Sequence, residues 1–269
     1  MKSFCYVLLS ALAATVAIAA PADVIEGRTT TALPTVYLAG DSTMAKARDG
    51  SPTTGWGPFF PYSVKNINVI NLAIGGRSAR SYTEEGRFKT LIEKLLPGDY
   101  VVMSFGHNDG GGLSKTDNGR SACAGSGSET CTTPEGKIVQ TYVTYLTNAA
   151  KEMVAKGATV IVSSPTPKNI CDSGTCSYTP PRWVEDSQKV VANTGPKASF
   201  VDHGLYVANE YLKLGKAKVD TFYPVDYTHP NADGSTLIAG LFVKAVLCSN
   251  NVLAPFIKNA TDTVPGACV

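Results

Sequence analysis

A three-layer α/β sandwich, with helices on both faces of a roughly five-stranded parallel sheet, is predicted by three features of this sequence. Short apolar, β-branched runs recur along the chain, helix-like segments lie between them, and glycines mark the turns. Strand–helix alternation at this spacing implies right-handed crossovers between parallel strands.

Strands are expected at residues 35–39, 68–73, 100–105, 159–163 and 199–202. The central ones are apolar on both faces, as in a sheet covered on each side. Helices are expected at 84–96, 134–156 and 232–247. The first carries Phe88, Leu91, Ile92 and Leu95 at helical spacing and stops at Pro97-Gly98. The second places Ile138, Tyr142, Tyr145, Leu146, Ala149 and Met153 on one face, with Gly157 as its C-cap. Residues 110–134 and 165–181 interrupt the alternation. The first is rich in Gly, Ser and Thr, the second in Pro and Ser, and each holds a cysteine pair, so both read as stapled surface loops. No internal repeat, low-complexity tract or domain boundary is visible, and one domain over residues 20–269 is expected.

The N-terminus is different in kind. Lys2 precedes an apolar stretch from Phe4 to Ala19, and Ala17-Ile18-Ala19 has the small-x-small pattern of a signal-peptidase site. The stretch is short for a transmembrane helix and lacks a charged stop, so residues 1–19 read as a signal peptide of a secreted protein. Cysteine usage fits that compartment. Six of the seven cysteines follow the signal peptide, grouped as Cys123/Cys131, Cys171/Cys176 and Cys248/Cys268, which favours three local bridges. A metal site would need Cys-x-x-Cys or interleaved His, and neither is present. Asn259-Ala260-Thr261 is a glycan acceptor sequence, consistent with secretion. A net charge of +2 without a Lys/Arg block gives no footprint for nucleic acid.

A hydrolase working near neutral pH usually needs a general base, and there are three histidines to consider. His107 and His203 each directly follow an expected strand. His229 alone has a carboxylate three residues upstream in an irregular loop, where Asp226 can fold back onto the imidazole Nδ1–H. Gly40-Asp41-Ser42 ends the first strand, at the carboxyl edge where open parallel sheets place their sites. Ser42 there is a candidate nucleophile, or simply a helix cap. The Gly-x-Ser-x-Gly elbow is absent, because Met44 stands where its second glycine would be. The second strand runs into Gly75-Gly76-Arg77-Ser78, where a glycine N–H suits an oxyanion hole. The third runs into Gly106-His107-Asn108-Asp109, whose Asn108 amide can supply another donor. Three strand ends of this kind together with Asp-x-x-His are unlikely to be accidental.

Gly40-Asp41-Ser42, Gly76-Arg77-Ser78, Gly106-His107-Asn108-Asp109 and Asp226-Tyr227-Thr228-His229 resemble, in order, the four blocks of the SGNH (GDSL-type) hydrolases. The strings 37–45 and 76–82 resemble the fungal rhamnogalacturonan acetylesterases within them, and so do the pairs Cys123/Cys131 and Cys248/Cys268; Cys171/Cys176 is foreign to that pattern. The resemblance implies Ser42 as nucleophile, His229 as general base and then acid, and Asp226 as its orienter. The N–H groups of Ser42 and Gly76 and the Asn108 amide would be the oxyanion donors. It implies acyl transfer from an acetylated, uronate-bearing polysaccharide, with no metal or organic cofactor, no nucleic acid and no membrane as partner, and a monomer as the expected state. Lys46, Arg77 and Arg80 are candidates to meet substrate carboxylates, Arg77 foremost because catalytic blocks flank it; each can equally be a solvated cation or an internal ion-pair partner. Two rivals remain. An SGNH lipase or thioesterase would want a more apolar lining than Arg77, Arg80, Glu84 and Glu85 suggest, and an inactive carbohydrate-binding protein would have no need of a full triad.

Overall fold

The computed structural model describes Met1, residues 32–113 and residues 116–269, so all but the first residue of the expected signal peptide lies outside the described residues. The chain runs through β1 (Thr35–Gly40), β2 (Asn68–Asn71), α1 (Ala79–Glu84), α2 (Arg87–Lys94) and β3 (Tyr100–Ser104). A hairpin of β4 (Thr130–Thr132) and β5 (Ile138–Gln140) precedes α3 (Tyr142–Ala155) and β6 (Thr159–Ser163). Then follow α4 (Arg182–Thr194), β7 (Ala198–Val201), α5 (His203–Leu214), α6 (Lys216–Val219) and α7 (Ala232–Cys248).

Five strands form one parallel sheet in the order β2-β1-β3-β6-β7. The chain leaves β1 for β2 on one side and returns to β3 on the other, so the order reverses between β1 and β3. The carboxyl ends of strands at such a reversal border a crevice, which is where ligands of open α/β sheets bind.

Alternation along the strands separates two cores. Tyr37, Ala39, Val101, Met103, Val160 and Val162 pack under residues of α1 to α4. Val36, Leu38, Val102, Ile161 and Val201 pack under α5, α7 and the segment around Trp56 and Phe60. The central strands are therefore buried on both faces, as their continuous apolar composition requires. Strand β2 ends at Asn71, two residues before the sequence predicts, because the Asn71 side chain accepts from Ala73 N–H (3.0 Å) and donates to the Met44 carbonyl (3.0 Å).

Two helices differ from expectation. The helix expected at 84–96 is broken at Gly86, whose φ of +70° belongs to the left-handed region, and becomes α1 and α2. The helix expected from residue 134 begins at Tyr142, where the Thr141 hydroxyl caps it by accepting from Thr144 N–H. The preceding Ile138 lies in β5 and is exposed, so it is not part of the helical face. At the other end Gly157 does terminate α3. Its N–H reaches Val154 O at 2.9 Å and Ala158 N–H reaches Met153 O at 3.1 Å, the paired bonds of a Schellman ending. Helices α4 and α5 were not expected. Three disulfides join Cys123–Cys131, Cys171–Cys176 and Cys248–Cys268, the local pairing the cysteine spacing favours. Asn259, the expected glycan acceptor, is half-buried. No helix among the described residues is long and apolar enough to cross a membrane.

His203, at the start of α5, is fully buried. Its ring sits edge-on to Trp56 at 5.2 Å, and its Nε2–H donates to Ile238 O at 2.8 Å. Burial pushes its pKa down to about 4, from an ordinary 6.5. The folded protein therefore binds fewer protons at this residue than the unfolded chain between those two values, and stability falls as pH drops through that window. At pH 5 the loss from this residue alone is about 2 kcal/mol. Urea unfolding of His203→Gln should show a correspondingly flatter fall in stability between pH 7 and pH 5 than the wild type. Parallel curves for the two proteins would contradict this account.

Candidate active site

Ser42 follows the end of β1 by two residues, in a turn held by its neighbours. The Asp41 carboxylate accepts from Thr43 N–H (2.9 Å) and Thr43 Oγ1–H (2.8 Å), while Met44 and Ala45 N–H return to the Asp41 carbonyl. A side chain on Gly40 would collide with Ser104 O at 2.7 Å, so only glycine lets β1 lie this close to β3 at its end.

His229 reaches Ser42 from the far end of the chain. Its Nε2 lies 2.9 Å from Ser42 Oγ, and its Nδ1 lies 2.8 Å from Asp226 Oδ2. The other carboxylate oxygen of Asp226 accepts from the backbone N–H groups of Thr228 (2.7 Å) and His229 (2.8 Å). One carboxylate thus both shapes the turn and orients the ring, which explains the Asp-x-x-His spacing. Burial by itself would raise the Asp226 carboxyl, but these three hydrogen bonds outweigh it and hold the group below the usual carboxylate range. It is therefore an anion wherever the imidazole beside it is in use.

The Asp226–His229 loop is braced on both flanks. Asn169 N–H donates to Tyr227 O at 2.7 Å, and the Lys168 ammonium stands 4.9 Å from the centre of the Tyr227 ring. Thr54 N–H donates to Pro230 O (2.9 Å) and Thr54 O accepts from the Ser235 hydroxyl (2.8 Å). The segment carrying Asn169 runs directly into the Cys171–Cys176 bridge. Composition gave no sign of these braces, because each is a contact between distant loops.

The second and third glycine-containing blocks are latched to each other. Asn108 Nδ2 donates to Arg77 O at 3.0 Å, and Asp109 Oδ1 caps α1 by accepting from Ala79 N–H at 2.7 Å. Ile74 N–H reaches Gly40 O at 3.0 Å, which lays the Ile74–Arg77 turn beside Ser42. A Cβ placed on Gly75 would stand 3.6 Å from Ser42 Cβ, and Gly76 has a φ of +76°. The N–H groups of Ser42 and Gly76 have no acceptor among the described residues, and the Asn108 amide keeps one N–H uncommitted. Burial drives the Asp109 carboxyl well above its usual range, and the charge of Asp41 adds to the shift. Burial thus disfavours the charged form of the carboxyl that makes this latch.

The predicted cations separate. Lys46 is exposed and lines a cleft of about 660 Å³ with Ser42 and His229, alongside Arg48, Asp49, Ser51 and Thr53. Arg77 is tied to Glu85 (3.1 Å) and to Gly75 O (3.1 Å). Arg80 cannot contact substrate, contrary to expectation. It is fully buried and its guanidinium is consumed by Glu84 (3.0 Å), Asp117 (2.7 Å) and Ser121 O (3.0 Å). Glu84 and Glu85 are likewise committed to ion pairs, so the polar lining of the cleft comes from residues 46–54 instead. His107 bonds to Thr166 O and His203 is buried, so neither competes with His229. A cation absent from the candidates, Arg120, stands beside the latch, its Nη1 3.4 Å from Asn108 Oδ1.

A serine, a histidine and a carboxylate in hydrogen-bonded sequence at the carboxyl edge of a parallel sheet define a serine ester hydrolase. Residues 38–237 match the GDSL-like Lipase/Acylhydrolase family, and the chain belongs to that family. It is 50% identical over 222 residues to the rhamnogalacturonan acetylesterase of Emericella nidulans, covering 81% of this chain and 87% of that protein. It is 28% identical over 217 residues to a probable rhamnogalacturonan acetylesterase of Bacillus subtilis, covering 78% of this chain and 91% of that one. Among solved structures, YxiM of Bacillus subtilis shares the fold with a TM-score of 0.66 at 21% identity, covering 82% of this chain and spanning only 58% of that chain. A catalytic mutant of an acetylxylan esterase from Geobacillus stearothermophilus superposes with a TM-score of 0.54 at 16% identity, over 79% of this chain and 94% of that one.

Asn108 is the sharpest test of this arrangement, since it links block to block and also carries a free donor. Asn108→Ala should lower kcat by about 10²–10³-fold, with KM changing little. Single-turnover acetyl release alongside a melting curve checks this; lost stability with an unchanged kcat would make Asn108 a turn residue only.

Proposed function

We propose that this protein is a secreted esterase that removes O-acetyl groups from the rhamnogalacturonan of pectin. Two lines support the reading. One is the 50% identity, over most of the chain, to a rhamnogalacturonan acetylesterase. The other, which carries it, is the set of charged and hydroxyl-bearing residues in the wall of the cleft beside Ser42, Lys46, Arg48, Asp49, Ser51, Thr53 and Thr54, which offers partners to a hydroxylated, anionic polymer.

In this reading Ser42 Oγ attacks the acetyl carbonyl carbon while His229 Nε2 takes its proton. Asp226 holds the Nδ1–H and stabilises the imidazolium that results. The carbonyl oxygen becomes an oxyanion that the free N–H groups of Ser42, Gly76 and Asn108 receive. The intermediate collapses as His229 returns the proton to the sugar oxygen, releasing the deacetylated polymer and leaving acetyl on Ser42. Water then attacks that ester as His229 accepts its proton, and the bond to Ser42 Oγ breaks as His229 returns the proton to that oxygen, releasing acetic acid and restoring the serine. An acetyl group is small enough for the open site, and the polymer alongside is bound through its own hydroxyls and carboxylates. Three local disulfides fit an extracellular workplace, where such bridges persist.

The purified enzyme should release acetate from acetylated rhamnogalacturonan and be inert toward p-nitrophenyl palmitate. The reverse preference would make it a lipase, and no turnover of either would leave a binding protein.

A further inference from the structure

We propose that Arg120 is a specificity-determining residue, which holds a uronate carboxylate of the substrate next to the Asn108–Gly76 side of the reaction centre. The proposal rests on the acidic-polysaccharide reading above and names the group that reads the acid.

Three cations near the catalytic blocks were open to this role from the sequence, and two are disqualified by their contacts. Arg80 is enclosed and fully bonded, and Arg77 is drawn away to Glu85 and Gly75 O. Arg120 is different on both counts. It is exposed, and no carboxylate among the described residues pairs with it. Its Nη1 makes one long contact, 3.4 Å to Asn108 Oδ1, and lies 3.9 Å from where a Cβ on Gly76 would be. The guanidinium therefore stands over Asn108 and Gly76, two of the three residues whose donors are left free for the oxyanion. Four of its N–H groups remain uncommitted, enough for a two-pronged contact with a carboxylate.

The backbone beneath it is fixed, which distinguishes a built site from a passing surface arginine. Asn118 Oδ1 accepts from Arg120 N–H (2.8 Å) and Ser121 N–H (2.9 Å). Asp117 holds the buried Arg80 guanidinium, which in turn holds Ser121 O. Ala122 N–H donates to Asp109 O at 3.0 Å, so the turn is anchored directly to the third block. Asp117, the carboxylate nearest in sequence, is spent on Arg80 and does not neutralise Arg120. The pairing of Asp117 with the buried Arg80 thus acts through the turn to present Arg120, and the Asn108 contact fixes where its tip rests.

Lys46 and Arg48 lie along the cleft that also borders Ser42 and His229. A polymer whose acidic residues recur along the chain can meet cations on both sides of the reacting ester. A neutral acetylated polymer has nothing to offer Arg120.

The test compares wild type, Arg120→Gln and Arg120→Lys on three substrates: an acetylated rhamnogalacturonan oligosaccharide, the same oligosaccharide with its carboxyls reduced to alcohols, and p-nitrophenyl acetate. Arg120→Gln should lose roughly 10–100-fold in kcat/KM on the acidic oligosaccharide, chiefly through KM. It should match wild type within about twofold on the other two substrates, with Arg120→Lys recovering part of the loss. Equal losses on all three would show that Arg120 acts through Asn108 on the chemistry, and equal activity on all three would show that it touches no carboxylate. Either result overturns the proposal while leaving the acetylesterase reading intact. Wild-type enzyme that hydrolyses p-nitrophenyl acetate but releases no acetate from the acidic oligosaccharide would overturn both.

Discussion

The hydrogen bond between Ser42 Oγ and His229 Nε2, 2.9 Å long, closes a loop of 187 residues, and much of the molecule exists to make it short. Neither partner can be placed by local structure alone. Ser42 stands at the sheet reversal between β1 and β3, while His229 hangs on the loop that enters α7. Closing a loop of that length costs entropy that the bond itself cannot recover, since a net hydrogen bond contributes only about 1 kcal/mol. The two packed cores carry the cost, and the contacts of Thr54 and Asn169 with the histidine loop remove what freedom is left.

The same logic extends to the oxyanion side. Catalysis by fixed dipoles depends on donors that do not reorganise when charge appears. Here the candidate donors sit at three separate strand ends, and the Asn108–Arg77 and Asp109–Ala79 bonds join the second and third of those ends into one piece. The second of these bonds uses a buried carboxyl, and a buried anion without a counter-ion would be costly. Burial accordingly pushes its pKa up, and the carboxyl accepts the Ala79 N–H in either protonation state. The acid behind the site and the acid within it are thus driven in opposite directions, Asp109 upward by burial and Asp226 downward by its donors.

The sheet, the residues that meet as Ser42, His229 and Asp226, and the disulfides were legible in the sequence because each leaves a local signature. Strands buried on both faces read as continuous apolar runs, Asp226 and His229 are three residues apart in one turn, and each cysteine among the described residues is bridged to its neighbour. What escaped was set by contacts between distant residues. Helix α4 buries Asp186 and Ser187 on its inner face, which blurs its apolar periodicity, and β5 was absorbed into α3 because Ile138 happens to fall in helical phase. The ranking of the arginines failed for the same reason. Arg80 looks available until Asp117, 37 residues on, is seen folded against it, and Arg120 lies in a loop whose composition says nothing of where it points.

The central claim is that Ser42 is a nucleophile because His229 and Asp226 make it one. Reaction of the enzyme with diethyl p-nitrophenyl phosphate, followed by intact mass and peptide mapping, tests that claim at the atom concerned. The account predicts a single phosphoryl adduct per chain, on Ser42, formed in step with the loss of esterase activity and far more slowly in His229→Ala. An inactivated enzyme carrying its adduct on another residue, or one labelled equally fast without His229, would contradict it.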